Sequence, residues 1–121
     1  MSALSKQVAG THYKNQKIQP IELTYMLGQT PAFCKVCKYA TRIKDDPIQQ
    51  LNKALHCIEL DSDLAHYHDF YIRVPESFAV EKIREFTEDK LLQKVLECMH
   101  LHHYTAATRY MKQMIKREKE F

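Results

Sequence analysis

TPAFCKVCKYATRIKDDPIQQLNKALHCIEL, residues 30–60, uses one punctuation device twice. Thr30-Pro31 and Asp46-Pro47 each set a side-chain oxygen directly before a proline. The oxygen can accept one of the orphan amides of a helix start. The proline, with no N–H and a preset φ, fits the first helical position. Each pair therefore predicts a helix beginning at its proline. Behind Pro47, Ile48, Leu51, Leu55 and Ile58 recur at spacings of three and four, a single apolar helical face.

Working outward, Gln19-Pro20 opens IELTYML, and Gly28 is placed to close it. The third helix either runs on through Leu64, Tyr67 and Tyr71 or breaks at Asp61-Ser62-Asp63. Val74-Pro75 ends whatever runs there. A short helix is predicted around Ala79, Val80, Ile83 and Phe86. Thr87-Glu88-Asp89 reads as a cap with acids that suit the helix dipole. The stripe Leu91, Leu92, Val95, Leu96, Met99 follows it. HLHHY, residues 100–104, reads as a polar connection. Ala107, Tyr110, Met111, Met114 and Ile115 make the last helix, with KREKE as its solvated end. No strand-like alternation and no Asn-Gly or Asp-Gly turn appears. The expectation is an all-α fold, a compact bundle of five to seven short helices in one domain. Residues 1–18 form an N-terminal arm, 19–60 a helical core and 61–121 a second helical half.

Bulk properties narrow the classes. At 121 residues the chain suits one domain, and one that gains from association, so a homo-oligomer is expected. Hydrophobic content of 45% and charged content of 27% are those of a soluble globular protein. A net charge of +3 is too mild to argue for nucleic acid. No run of eighteen apolar residues exists, and MSALSKQVAG lacks the apolar stretch of a signal peptide. No membrane partner is expected. The four cysteines then read as reduced thiols of a cytoplasmic protein.

On a helical wheel, Phe33, Val36, Cys37, Ala40 and Ile43 fall on one side. Lys35, Lys38, Tyr39 and Arg42 fall on the other, at spacings of three, four and seven. Like charges so spaced repel by about 0.3 kcal/mol per pair. A polar face of cations and one ring is suited to phosphate, with arginine as a bidentate fork, lysine as a point charge and tyrosine as a stacking surface. The same pattern also describes a solvated helix face. Cys34 and Cys37 lie about 60° apart on the wheel, but zinc needs two further ligands. The loose group His100, His102 and His103 does not supply a usual zinc spacing, and no metal site is expected. Asp61, Asp63 and Asp69 read as cap and turn residues rather than as cation ligands. Glycine-rich phosphate loops and the nucleophile elbow are absent.

Taken in order, GTHYKNQKIQPIEL, FCKVCKYATRIK and LNKALHCIEL resemble the SaV-like family of small phage proteins, related to a podophage nucleotide kinase without a Walker motif. The family pattern is His-Tyr, an apolar-Glu helix, Gly-Asn-x-x-Lys-Tyr-x-x-Arg and Asp-Leu-x-Lys-Ala. His12-Tyr13, Pro20-Ile21-Glu22, Lys38-Tyr39 with Arg42, and Leu51, Lys53 and Ala54 match it. The likeness covers about half the chain. Cys34-Lys35 stand where the family has Gly-Asn, and Gln50 where it has Asp. The resemblance implies a nucleotide-binding protein of the host cytoplasm, holding ligand with His12, Tyr13, Lys35, Lys38, Tyr39, Arg42 and Lys53. If it is a nucleoside monophosphate kinase, ATP and Mg²⁺ are its cofactors. If the loss of the Asp ended turnover, it is a sponge sequestering a nucleotide, cyclic nucleotide or ADP-ribose signal of host defence. A module docking an acidic protein through the cationic helix is a further reading, and a DNA binder the last.

Overall fold

The computed structural model describes residues 17–42, 46–68 and 74–120. These form α1 (Pro20–Met26), α2 (Pro31–Thr41), α3 (Pro47–Leu64) with a 3₁₀ turn at Ala65–Tyr67, α4 (Glu76–Phe86), α5 (Lys90–His100) and α6 (Tyr104–Lys119). The fold is all-α, and no strand occurs among the described residues.

The start signals act as their chemistry requires. Thr30 Oγ1 accepts the Phe33 amide at 3.1 Å, and Asp46 Oδ1 accepts that of Ile48 at 3.0 Å. Glu22 Oε1 accepts the backbone N–H of Gln19 at 3.4 Å. After α1, Gly28 takes φ 61°. This left-handed residue lets the Gln29 amide reach Thr24 O at 2.9 Å and that of Gly28 reach Tyr25 O at 3.3 Å, satisfying carbonyls the helix leaves open.

The structure decides one open alternative and corrects two expectations. α3 passes through Asp61-Ser62-Asp63 without a break and tightens only after Leu64. Pro75 is the N-cap residue of α4, and the run that Val74-Pro75 is expected to end lies, with Tyr71, outside the described residues. HLHHY is not all connection: His100 is the last residue of α5 and is buried. His102 supplies the left-handed residue, at φ 60°, that turns the chain into α6. Finally, KREKE is not wholly a solvated end, because Arg117 Nη2 lies 2.6 Å from Asp89 Oδ2.

One core joins both halves of the sequence. Leu23, Phe33, Val36 and Ile58 are fully shielded, as are Ile83, Val95, Leu96, Met99 and Met111. α3 packs on α2 and α6, and α5 packs on α6, α4 and α2. Buried polar groups stitch the layers. Asp61 accepts the Thr30 hydroxyl at 2.6 Å on Oδ1 and the Tyr104 hydroxyl at 3.1 Å on Oδ2. A single carboxylate on α3 thus holds the start of α2 and the start of α6. His100 faces a carbonyl, Val74 O, across 3.2 Å from Nε2, so that nitrogen carries the proton. Its Nδ1 then accepts the Gln29 side-chain amide at 2.9 Å, tying α5 to the α1–α2 turn.

Candidate functional site

α2 presents the cationic face read from the sequence, but its two neighbours divide that face. Phe33, Val36 and Cys37 are buried as the wheel requires, and Ala40 is half-buried. Ile43 lies outside the described residues, as do His12 and Tyr13. Toward α1, Cys34, Lys35 and Lys38 line a groove of about 550 Å³ with Ile21 and Tyr25 opposite. Cys34 is half-buried there, whereas Cys37 is buried.

Toward α3 the arrangement differs. Tyr39 is half-buried and packs against the core, rather than standing free on a polar face. Arg42 Cζ lies 6.0 Å from its ring centroid and Lys53 Nζ of α3 lies 5.7 Å from it. Both cations sit at the outer limit of cation–π attraction, so the ring holds them weakly and leaves both charges intact. Arg42 is the C-cap residue of α2, in extended conformation, and is half-buried. Its Nε is shielded from solvent and has no hydrogen-bond partner among the described residues. Lys53 is exposed, on the turn of α3 after Gln50. The sequence therefore named three residues that converge, Tyr39, Arg42 and Lys53, and two, Lys35 and Lys38, that line a different groove.

The cations of this region form no ion pair among the described residues, a state they share with Arg84, Lys94 and Arg109. Three ion pairs form among the described residues: Lys17–Glu85, Lys82–Glu85 and Arg117–Asp89. None includes Lys35, Lys38, Arg42 or Lys53. Gln50, three residues before Lys53 on α3, is buried at 2% exposure, and its Oε1 has no partner among the described residues.

The thiols behave as burial dictates. Burial, with some help from Cys34, pushes the Cys37 thiol well up, which makes it inert at neutral pH. Burial also raises Cys57, and Lys35 draws it partly back. Among the described residues no group of three or more His, Cys, Asp or Glu is placed to hold a metal ion. Asp61 is a core hydrogen-bond acceptor, not the cap or turn residue expected. No helix of the described residues is long and apolar enough to cross a membrane.

A second groove, of about 490 Å³, lies between α3 and α6, with Glu59 and Asp63 on one wall and Arg109 and Lys112 on the other. Sequence reasoning missed it, because its two walls are about fifty residues apart and neither carries a motif. Compared with family models, curated proteins and solved structures, the chain matches none.

Proposed function

We propose that this protein binds a nucleotide through its phosphate, at the Tyr39, Arg42 and Lys53 cluster, without turning it over. The observation that carries the reading is the convergence of two cations from different helices on one tyrosine ring, with no carboxylate paired to either among the described residues. Two like charges held near one ring gain from a shared anion, and a phosphate offers oxygens to both. The order of His12-Tyr13, Lys38-Tyr39-x-x-Arg42 and Lys53-Ala54, similar to the SaV-like phage proteins, supports a nucleotide as the carrier of that phosphate. Gln50 favours binding over kinase chemistry: an amide can neither take a proton from a hydroxyl nor bring charge to a Mg²⁺ ion held with ATP.

The test is incubation of the pure protein with mixed nucleotides, cyclic dinucleotides and ADP-ribose, with and without ATP and Mg²⁺. The free pool is then read by mass spectrometry before and after heat denaturation. A compound that disappears and returns unchanged on heating is the expected result. New phosphorylated products would make the protein an enzyme. Loss of capture in Arg42→Ala and Lys53→Ala, at unchanged circular dichroism, is expected if the cluster is the site. Equal capture by both variants would remove it.

A further inference from the structure

The described residues leave six large hydrophobic side chains exposed, and five lie on α1 and along α3 with its 3₁₀ extension. Ile21 is 50% and Tyr25 82% exposed, one turn apart on α1. Leu60, Leu64 and Tyr67 are 37%, 51% and 75% exposed, at spacings of four and three. The α1 pair walls the groove of about 550 Å³ beside α2. Leu64 and Tyr67 wall a second depression, of about 260 Å³, at the end of α3. Pro31, the first residue of α2, lines both, so the two adjoin across the start of that helix. Single exposed hydrophobes are ordinary, but adjoining ones around a groove mark an interaction surface.

Its charge specifies the occupant. Lys35 and Lys38 line the larger groove, which has no carboxylate in its walls among the described residues. Asp61, in the smaller depression, is 3% exposed and has both oxygens engaged by Thr30 and Tyr104. Neither lysine has an acidic partner among the described residues. The surface is thus apolar with a one-sign, cationic flank. A second copy seated on it about a two-fold axis would set these lysines against themselves. Residues 1–16 carry Lys6 and Lys14 and no acid, so they do not complement it either.

We infer that this face docks an acidic amphipathic helix of another protein, with apolar side chains in the groove and carboxylates over Lys35 and Lys38. An apolar helical stripe read at spacings of three, four and seven suits a groove of this kind. The site is separate from the Tyr39, Arg42 and Lys53 cluster and does not depend on a nucleotide.

The experiment titrates the full chain against a labelled helical peptide of about five turns. The peptide carries leucines at i, i+4 and i+7 and glutamates on both flanks. A twin carries lysine at every glutamate. Fluorescence anisotropy is expected to show binding of the acidic peptide that weakens with salt, with the twin weaker by about tenfold or more. Tyr25→Ser combined with Tyr67→Ser is expected to weaken acidic-peptide binding by a similar factor, about tenfold. Both tyrosines are more than two-thirds exposed, so the fold survives, and circular dichroism checks this. No binding of the acidic peptide, equal binding of the twin, or indifference to the double substitution would overturn the inference. So would sedimentation showing a dimer that the double substitution dissolves, since a second copy would then be the occupant.

Discussion

Asp61 ties three helices together through one buried carboxylate. Its carboxylate is 3% exposed and accepts hydroxyls from α2's cap residue and from α6's first residue. Removing it takes the acceptor from two half-buried hydroxyls and leaves a cavity in the core, so Asp61→Ala is expected to cost about 3 kcal/mol in urea unfolding, and Tyr104→Phe about 1 kcal/mol. The residue was legible, though easy to misread. Gln50, Ala54, Cys57 and Asp61 follow one another at spacings of four, three and four, a buried stripe partly disguised by its polar members. Reading Asp61 with its neighbour Asp63 suggests a cap or turn; reading it with Cys57 and Ile58 places it in the core. Thiol chemistry gives a second check at this scale. Cys37 and Cys57 are 0% and 5% exposed, whereas Cys34 and Cys98 are half-buried. A maleimide is therefore expected to modify Cys34 and Cys98 in the native protein, and the other two only on unfolding. Cys37→Ser, which puts a hydroxyl in the core, is expected to cost about 2 kcal/mol.

At the scale of elements, α5 and α6 are joined by a contact with a calculable pH dependence. Asp89 Oδ1 accepts the amides of Leu91 and Leu92 at 3.0 and 3.3 Å, and Oδ2 meets Arg117 Nη2 at 2.6 Å. Burial pushes the Asp89 carboxyl up. The guanidinium and the two amides together outweigh that and hold it below its ordinary value. Its folded pKa is therefore below its unfolded one. The stabilisation is complete above the ordinary carboxylate range, about pH 4, and disappears as pH falls through the lower folded value. Asp89→Asn keeps a capping oxygen and loses the charge. The difference in stability between wild type and Asp89→Asn is expected to be about 1 kcal/mol at pH 7 and to shrink as pH falls below the ordinary carboxylate range, followed by thermal unfolding across pH. The cap was readable in Thr87-Glu88-Asp89. Its partner was not, because a lysine- and glutamate-rich tail has the same composition whether it is solvated or paired.

The whole molecule explains why the fold was legible and the candidate site only partly so. Periodicity, capping oxygens and prolines are local, and they located the helices. Where a polar face points depends on neighbours that no local pattern names. Lys35, Lys38, Tyr39 and Arg42 share one side of a wheel, yet α1 faces one edge of it and α3 the other. Lys53 joined the cluster only because the resemblance named it. The core also disregards the division between residues 19–60 and 61–121. Met99, Met111 and Met114 of α5 and α6 are buried in the same cluster as Leu23, Phe33 and Ile58. A fragment ending at residue 64 lacks α4 to α6 and leaves the apolar faces of α2 and α3 uncovered. It is expected to lose most helical circular dichroism and its cooperative transition, since short helices owe their stability to packing.

The carboxylate of Asp61 also governs the exchange of one distant proton. The Phe33 amide is held by Thr30 Oγ1, and that hydroxyl is oriented by its bond to Asp61, thirty-one residues further along the chain. Each bond polarises the next, so α3 sets how tightly the first turn of α2 is closed. In deuterated water, Asp61→Ala should therefore strip protection from the Phe33 amide sooner than from those of Leu91 and Leu92, whose acceptor is Asp89. Equal acceleration at all three would mean a general loss of stability, whereas selective loss at Phe33 would make that single amide a reporter of the α2–α3 junction.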